Sequence, residues 1–332
     1  MTDFVFISAN DIHISDKPPR SRTDDFKTVI LGKISQMRMA CEKLKVDAAL
    51  IAGDLFNLKD PARNSHNLNQ ELIREFRKFP CPIYMIVGNH DMTGNNIESL
   101  KSQPLGVLFE DRTIIPLTEE KVTKNGVSVS LVGIHYTEED ITLKKLPPRG
   151  NSVAQICLLH VYASIGKGGK LFDERLYGYD ELAQMGPDVF IIGHYHLDQG
   201  IYRQDGKHFI NLGAVTRGVL SEDNILHQPK IGLTKVTVDD SGKVAVNTTA
   251  IKLRVQPAED IFDIEKKKEE EKESKEIQEF IQKLATEVVN KNKDTAATID
   301  GMVQGMDMAV AVKNRVMGFI QKAASMRQIP RT

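Results

Sequence analysis

Short apolar runs bounded by polar punctuation organise the first two thirds of the chain. "FVFIS" is followed by an amphipathic stretch from Phe26 to Leu44, then "AALIAGD", a second helical pattern near Leu68 to Phe79, and "IYMIVGN". Strand-length runs alternating with 3.6-period segments predict stacked βα units and an α/β fold. The runs "VSVSLVGIHY", "QICLLH", "VFIIGH", "HFINLG", "IGLTKVTV" and "KVAVNTTAIKL" come next with fewer helices between them. They predict a second sheet containing hairpins, with a turn at Asp239 to Gly242.

The pattern changes after Pro257. Glu265 to Glu276 is dense in charge of both signs, which suits a solvated helix. Ile277, Phe280, Ile281, Leu284 and Val288 then form an apolar stripe at helical spacing, and Met302, Val303, Met306, Val310, Val316, Met317 and Ile320 form another. The expected division is a large domain over residues 1–256 and a smaller, mostly helical region over 257–332. Methionine-rich helix faces suit docking on another helix as well as packing on the chain's own core.

With 332 residues and ordinary apolar and charged fractions, the chain can bury one large core and an appendage. No apolar run reaches the roughly 20 residues that span a bilayer, and the start carries no leader-like segment, so a cytoplasmic protein without a membrane role is expected. Cys41, Cys81 and Cys157 are scattered, odd in number and lack zinc-type spacing, which suits a reducing compartment. The formal net charge of −1 gives no global attraction to nucleic acid. Any phosphate-binding field must come from metal ions or from local clusters such as Arg20/Arg22, Lys144/Lys145/Arg149 and Lys167/Lys170.

The ends of the apolar runs carry the chemistry. Five of them deliver Asp11 and His13, Asp54, Asn89 and His90, His160, then His194 and His196. One Gly-Asp ending is ordinary turn chemistry, but turns give no reason for so many histidines. The carboxyl edge of an open α/β sheet is where ligands bind. Carboxylate, carboxamide and imidazole together suit manganese, iron or zinc, and thiolates are absent from the set. With His90 left free for other work, seven such ligands exceed what one tetrahedral ion takes; with one bridging carboxylate they suit two ions about 3.5–4 Å apart.

In this order and spacing, "DIH", "GDLFN", "GNHD", the His160 of "LLH" and "GHYH" resemble the five motifs of the calcineurin-like metallophosphoesterases, from about Phe4 to Gly218. The resemblance implies a four-layer α/β/β/α sandwich. It also implies that Asp11, His13 and His196 hold one ion, that Asn89, His160 and His194 hold the other, and that Asp54 bridges them. The implied ions are most readily Mn2+, with Mg2+, Fe2+ or Zn2+ as alternatives. The implied reaction is in-line attack on phosphorus by a metal-bridging hydroxide, with His90 stabilising charge or protonating the leaving oxygen and Asp91 setting the loop.

Protein phosphatases of the family extend the second motif as GDxVDRG, and "GDLFNLK" departs from it. "GDLFN", "VGNHDM", the long first helix and "INLGAVTRG", with Gly213, Ala214 and Arg217, look most like the SbcD-type nuclease subunits of double-strand-break repair complexes. That resemblance implies DNA as substrate, an SMC-like ABC ATPase of the SbcC type as partner, and a possible homodimer. It also fits a phage-encoded recombination endonuclease subunit acting in the host cytoplasm. Asn57 departs from the pattern, since many of these nucleases have His there and Asn cannot act as an acid. His135 and His66 match no motif, and His135 is expected to be structural. The alternatives are a small-molecule or nucleotide phosphodiesterase without a DNA role, and a non-catalytic scaffold subunit.

Overall fold

A computed structural model describes residues 1–265 together with 268 and 272. The two amphipathic stripes expected between Ile277 and Ile320 lie outside the described residues. Met1–Phe262 forms one compact unit, and Asp263–Thr332 is assigned to a second.

The strands, in chain order, are β1 (Thr2–Ala9), β2 (Ala48–Ala52), β3 (Ile83–Ile86), β4 (Ile115–Pro116), β5 (Glu119–Lys124), β6 (Val127–Ile134), β7 (Ala154–Val161), β8 (Ala163–Ser164), β9 (Gly169–Leu171), β10 (Glu174–Gly178), β11 (Val189–His194), β12 (Asp198–Gln204), β13 (Lys207–Leu212), β14 (Lys230–Val238) and β15 (Val244–Lys252). The first sheet has the order β15-β14-β1-β2-β3-β4, and the second β12-β13-β11-β7-β6-β5. β8, β10 and β9 form a small third sheet.

Period-two alternation assigns each strand face to a layer. In β1, Phe4 and Phe6 point between the two large sheets while Ile7 and Ala9 point outward to the helices. The inner layer is closed by Leu50, Ile86, Leu131, Leu158, Ile191 and Ile210. Outside the first sheet lie α1 (Phe26–Leu44), α2 (His66–Phe76) and α3 (Pro104–Glu110). The first is capped by Asp25, whose side chain accepts from the Thr28 amide, and it stops at Lys45 in the left-handed conformation. Outside the second sheet, the short α4 (Tyr179–Leu182) and Tyr177 of β10 cover Phe190, Ile192 and Phe209. The layers are thus α/β/β/α, with the outer layer thinner on the second side.

One expectation is corrected. β14 and β15 belong to the first sheet, where β14 pairs antiparallel with β1 from Thr2↔Val238 to Ser8↔Gly232. Alternation marks both segments as strands but does not choose their partner, and β1 without β14 would present an open edge.

The loop after β13 is clasped from below. Lys33 of α1, 3% exposed, donates to the Val215 carbonyl at 2.8 Å. Arg22 pairs with Asp24 in a fork, donates to the Arg217 carbonyl, and lies over the Phe26 and Phe262 rings. Arg217 is itself buried and donates to the Gln256 carbonyl. The Arg22 expected in a phosphate-binding cluster is therefore part of this clasp.

Two outcomes follow from this packing. Phe6→Ala should cost about 3–5 kcal/mol, read from urea unfolding, because it empties the layer between the sheets. Burial, reinforced by Arg22 and Arg217, lowers the Lys33 pKa from 10.5 to about 7. Between those values the unfolded chain binds the extra proton, so this group makes stability rise with pH from about 7 to 10.5. Lys33→Met should remove that contribution, which the difference between wild-type and variant unfolding free energies over the same pH range measures.

Candidate metal centre

The carboxyl ends of β1, β2, β3, β7 and β11 meet along one edge of the sandwich, and the loops there are held in unusual backbone conformations. Asp11, His13, Asp54 and His194 have φ of 51°, 49°, 53° and 85°. For side-chain-bearing residues such angles are uncommon and cost about 1–3 kcal/mol each, so the surroundings must enforce them. Asp91 supplies much of that enforcement at the second motif. Its buried carboxylate accepts from the amides of Asp54, Leu55, Phe56 and Gly88 at 2.8–3.2 Å. Gly88 fits only without a side chain, since a Cβ there would lie 2.1 Å from Asp54 Oδ1.

Two clusters of potential ligands share Asp54. Asp11, His13, Asp54 and His196 form one, and Asp54, His160 and His194 form the other, with the ligand atoms of each within 4.8 Å. In the first, His13 Nε2 and His196 Nε2 are 3.0 Å apart, and His196 Nε2 is 3.6 Å from Asp11 Oδ1. In the second, Asn89 Oδ1 lies 3.1 Å from both His160 Nε2 and His194 Nδ1. Asp54 Oδ2 stands between the clusters, 3.6 Å from His13 Nε2 and 3.3 Å from His160 Nε2. It is buried and accepts no well-formed hydrogen bond, while Oδ1 accepts from the His90 amide at 2.8 Å.

An orphaned buried carboxylate oxygen amid converging imidazole nitrogens fits divalent cations, because the group is otherwise left with an uncompensated desolvation penalty. Two divalent ions are typical of sites with this ligand set, and the clustered side chains could hold them. The outer hydrogen bonds choose which imidazole nitrogen faces inward. His160 Nδ1 is 2.8 Å from the Ala52 carbonyl, which leaves Nε2 inward, and His194 Nε2 is 3.0 Å from Glu174 Oε2, which leaves Nδ1 inward. Asp11 is braced by the His194 amide at 3.1 Å and by Asn10 Nδ2 at 2.8 Å.

The electrostatics of these side chains show the same crowding. Burial lowers the His13 pKa to about 3, and burial with the nearby His160 charge lowers His194 to about 4. Burial would also lower His160, but the adjacent Asp54 outweighs it and lifts the pKa to about 9. Burial alone would raise Asp54 and Asp11; the surrounding histidines hold both below the usual carboxylate range.

The remaining sequence-predicted residues are placed as follows. His90 lines the pocket beside Asp54 and Asn89, with Nδ1 2.8 Å from the Asn57 carbonyl, so Nε2 is the nitrogen left for a substrate. Asn57 contributes through its backbone, accepting from His90 and donating to Ile14. Asp91 lies beneath the loop as described, and burial with the Asp54 charge raises its pKa to about 7. His135 is structural, its Nδ1 accepting the Val87 amide at 3.0 Å. Sequence reasoning missed Glu174, which also accepts from the Tyr136 hydroxyl at 3.2 Å. Its segment carries no motif, and a Gly-rich "KGGKLFDERLYG" alternation is the one signal of the hairpin that brings it in.

Calorimetric titration with Mn2+ should show two bound ions per chain, and Asp54→Asn should weaken binding at both positions. Glu174→Gln should lower affinity for one ion by about 10- to 100-fold, the usual effect of removing a carboxylate that orients a ligating histidine.

Residues 4–198 match the family described as calcineurin-like phosphoesterase. The chain is 24% identical over 210 residues to the uncharacterized metallophosphoesterase YhaO of Bacillus subtilis, over 60% of this chain and 50% of that one. It thus spans about half the length of this curated relative. Among solved structures, a Staphylococcus aureus protein described as a candidate 5′-nucleotidase superposes with a TM-score of 0.53 at 16% identity, covering 77% of this chain and 55% of that one. The calcineurin-like phosphoesterase YfkN of Bacillus subtilis gives 0.47 at 13% identity, covering 77% and 93%. At 16% identity, the likeness to the Staphylococcus aureus structure speaks to the fold alone. With the family match running from β1 past the last pair of clustered histidines, the chain belongs to the calcineurin-like phosphoesterase family.

Proposed function

We propose that this metal-dependent phosphoesterase is a DNA phosphodiesterase, the nuclease subunit of an SbcCD-like repair or recombination complex that works with manganese in the cytoplasm. The observation that carries the diester reading is the lining of the pocket over the clustered ligands. Asp54, Asn89, His90, Tyr162, His194 and Tyr195 are among its walls, and among the described residues no Lys or Arg is. A phosphomonoester presents a dianion that side-chain cations normally help to neutralise, whereas a diester carries a single charge that two metal ions can meet. The sequence resemblance of "GDLFN", "VGNHDM" and "INLGAVTRG" to SbcD-type subunits supports DNA within the diester class.

When bound, two divalent ions supply Lewis-acid polarisation of the phosphoryl oxygens and lower the pKa of the attacking water. The chain's own residues do the rest. Asp11, His13 and His196 would hold one ion and Asn89, His160 and His194 the other, with Asp54 shared. Glu174 and the Ala52 carbonyl fix the two buried imidazoles, so no reorganisation is needed on binding. His90, held through Nδ1 by Asn57, presents Nε2 to the phosphoryl group or leaving oxygen and stabilises or protonates it there. Asn57 cannot donate a proton as an acid, so that work falls to His90. In this reading residues 257–332 dock on the ATPase partner, and the chain can form a homodimer.

Cleavage of end-labelled single-stranded and duplex DNA in Mn2+ tests this. His90→Ala should lower kcat by about 10²- to 10⁴-fold, the range for a general acid, while Mn2+ binding persists. Asp54→Asn should lose both. Turnover of bis(p-nitrophenyl) phosphate with DNA left intact, even after the ATPase partner is added, would replace this reading with a small-molecule phosphodiesterase.

A further inference from the structure

The hairpin β9–β10 has features that neither the metal cluster nor the fold requires. Leu171 pairs with Glu174, so Phe172 and Asp173 alone make the turn, with φ of 49° and 67°. Positive φ at both positions suits a two-residue hairpin, but such turns favour Asn and Gly. A bulky aromatic residue at positive φ is an outlier that surrounding structure must enforce. Phe172 gains little packing in return, being 80% exposed. Strain held without a packing reward is characteristic of functional positions.

The ring also stands in a particular place. Phe172 lines the same pocket of about 400 Å³ as Asn89, His90 and His194. Its centroid is 6.3 Å from that of Tyr162, which lies 5.7 Å from Tyr195 and 4.1 Å from His194. Three aromatic rings therefore run from the clustered ligands to the rim. Glu174, the first residue after the turn, holds His194, so the tip has a fixed height over the site. With no Lys or Arg among the described lining residues, these walls offer affinity beyond the metal ions chiefly to the part of the substrate next to the phosphate.

We propose that Phe172, with Tyr162 and Tyr195, forms a stacking subsite for an unpaired nucleobase adjoining the scissile phosphodiester. This rests on the reading of the site as a nucleic-acid phosphodiesterase and narrows it to single-stranded or frayed substrate. Aromatic faces bind any base, because every base has a π-face, and a base still paired within a duplex cannot offer one. The subsite therefore selects for strand state more than for sequence.

The test uses a single-stranded hexanucleotide with one phosphodiester, its other linkages methylphosphonate, made with and without the bases flanking that bond. Removing the base that stacks should raise the wild-type KM in Mn2+ by about 5- to 100-fold, the usual worth of one stacked base. Phe172→Ala should raise KM for the intact strand comparably and lose the discrimination, whereas Phe172→Tyr should keep it. Independently of turnover, 2-aminopurine placed beside the bond should be quenched on binding to wild type and less so with Phe172→Ala; the exposure of Phe172 lets the variant fold, which a thermal melt verifies. Equal cleavage of both strands by wild type, or undiminished discrimination by Phe172→Ala, overturns the subsite while leaving DNA cleavage intact. Wild type that hydrolyses bis(p-nitrophenyl) phosphate but neither strand overturns the nucleic-acid reading and the subsite with it.

Discussion

The site depends on one buried carboxylate that touches no substrate. Asp91 gathers four backbone amides from the ends of β2 and β3, and in doing so it decides where Asp54, Asn89 and His90 stand. Four amide hydrogen bonds converging on one buried carboxyl group make a rigid knot in chain that would otherwise be loop. The left-handed backbone at Asp54 is tolerable because this knot holds it. The His90 amide, aimed at Asp54 Oδ1, then locks one carboxylate oxygen and leaves the other facing both histidine clusters.

The same economy runs through the rest of the edge. Backbone groups orient side chains that are chemically active: the Ala52 carbonyl sets His160, the Asn57 carbonyl sets His90, and the His194 amide braces Asp11. Each contact crosses between strands far apart in sequence, so the sandwich must be assembled before the cluster exists. Buried polar groups satisfied in this way specify one arrangement, and a partly satisfied network would be worse than none.

Much of the edge was legible in the sequence because histidine, aspartate and asparagine at the ends of apolar runs have no adequate explanation as turns. The helix from Phe26 to Leu44 was equally plain, since its apolar residues keep helical spacing throughout. What escaped was what tertiary packing decides. Alternation identified β14 and β15 but not the sheet they join, because both sheets offer an apolar inner face. Arg22 read as one member of a local phosphate-binding cluster, yet it lies against two phenylalanine rings with Asp24 as its partner. Glu174 gave no sign of its role, since a carboxylate that orients a ligand is chosen by where a hairpin folds back.

The pairing of β1 with β14 has a consequence for how this protein comes to be folded. Thr2 meets Val238 and Ser8 meets Gly232, so the first strand made waits for nearly the last of the compact unit. During synthesis β1 can take its place beside β2, but its other edge remains a row of unpaired amides and carbonyls until residue 238 has been made. Pairings of such long sequence separation fold slowly, and exposed strand edges recruit other chains in the meantime. The outermost residues of the unit thus close the sheet like a seam sewn last, and a nascent chain halted before β14 would hold every residue of the site without the strand that shields their scaffold.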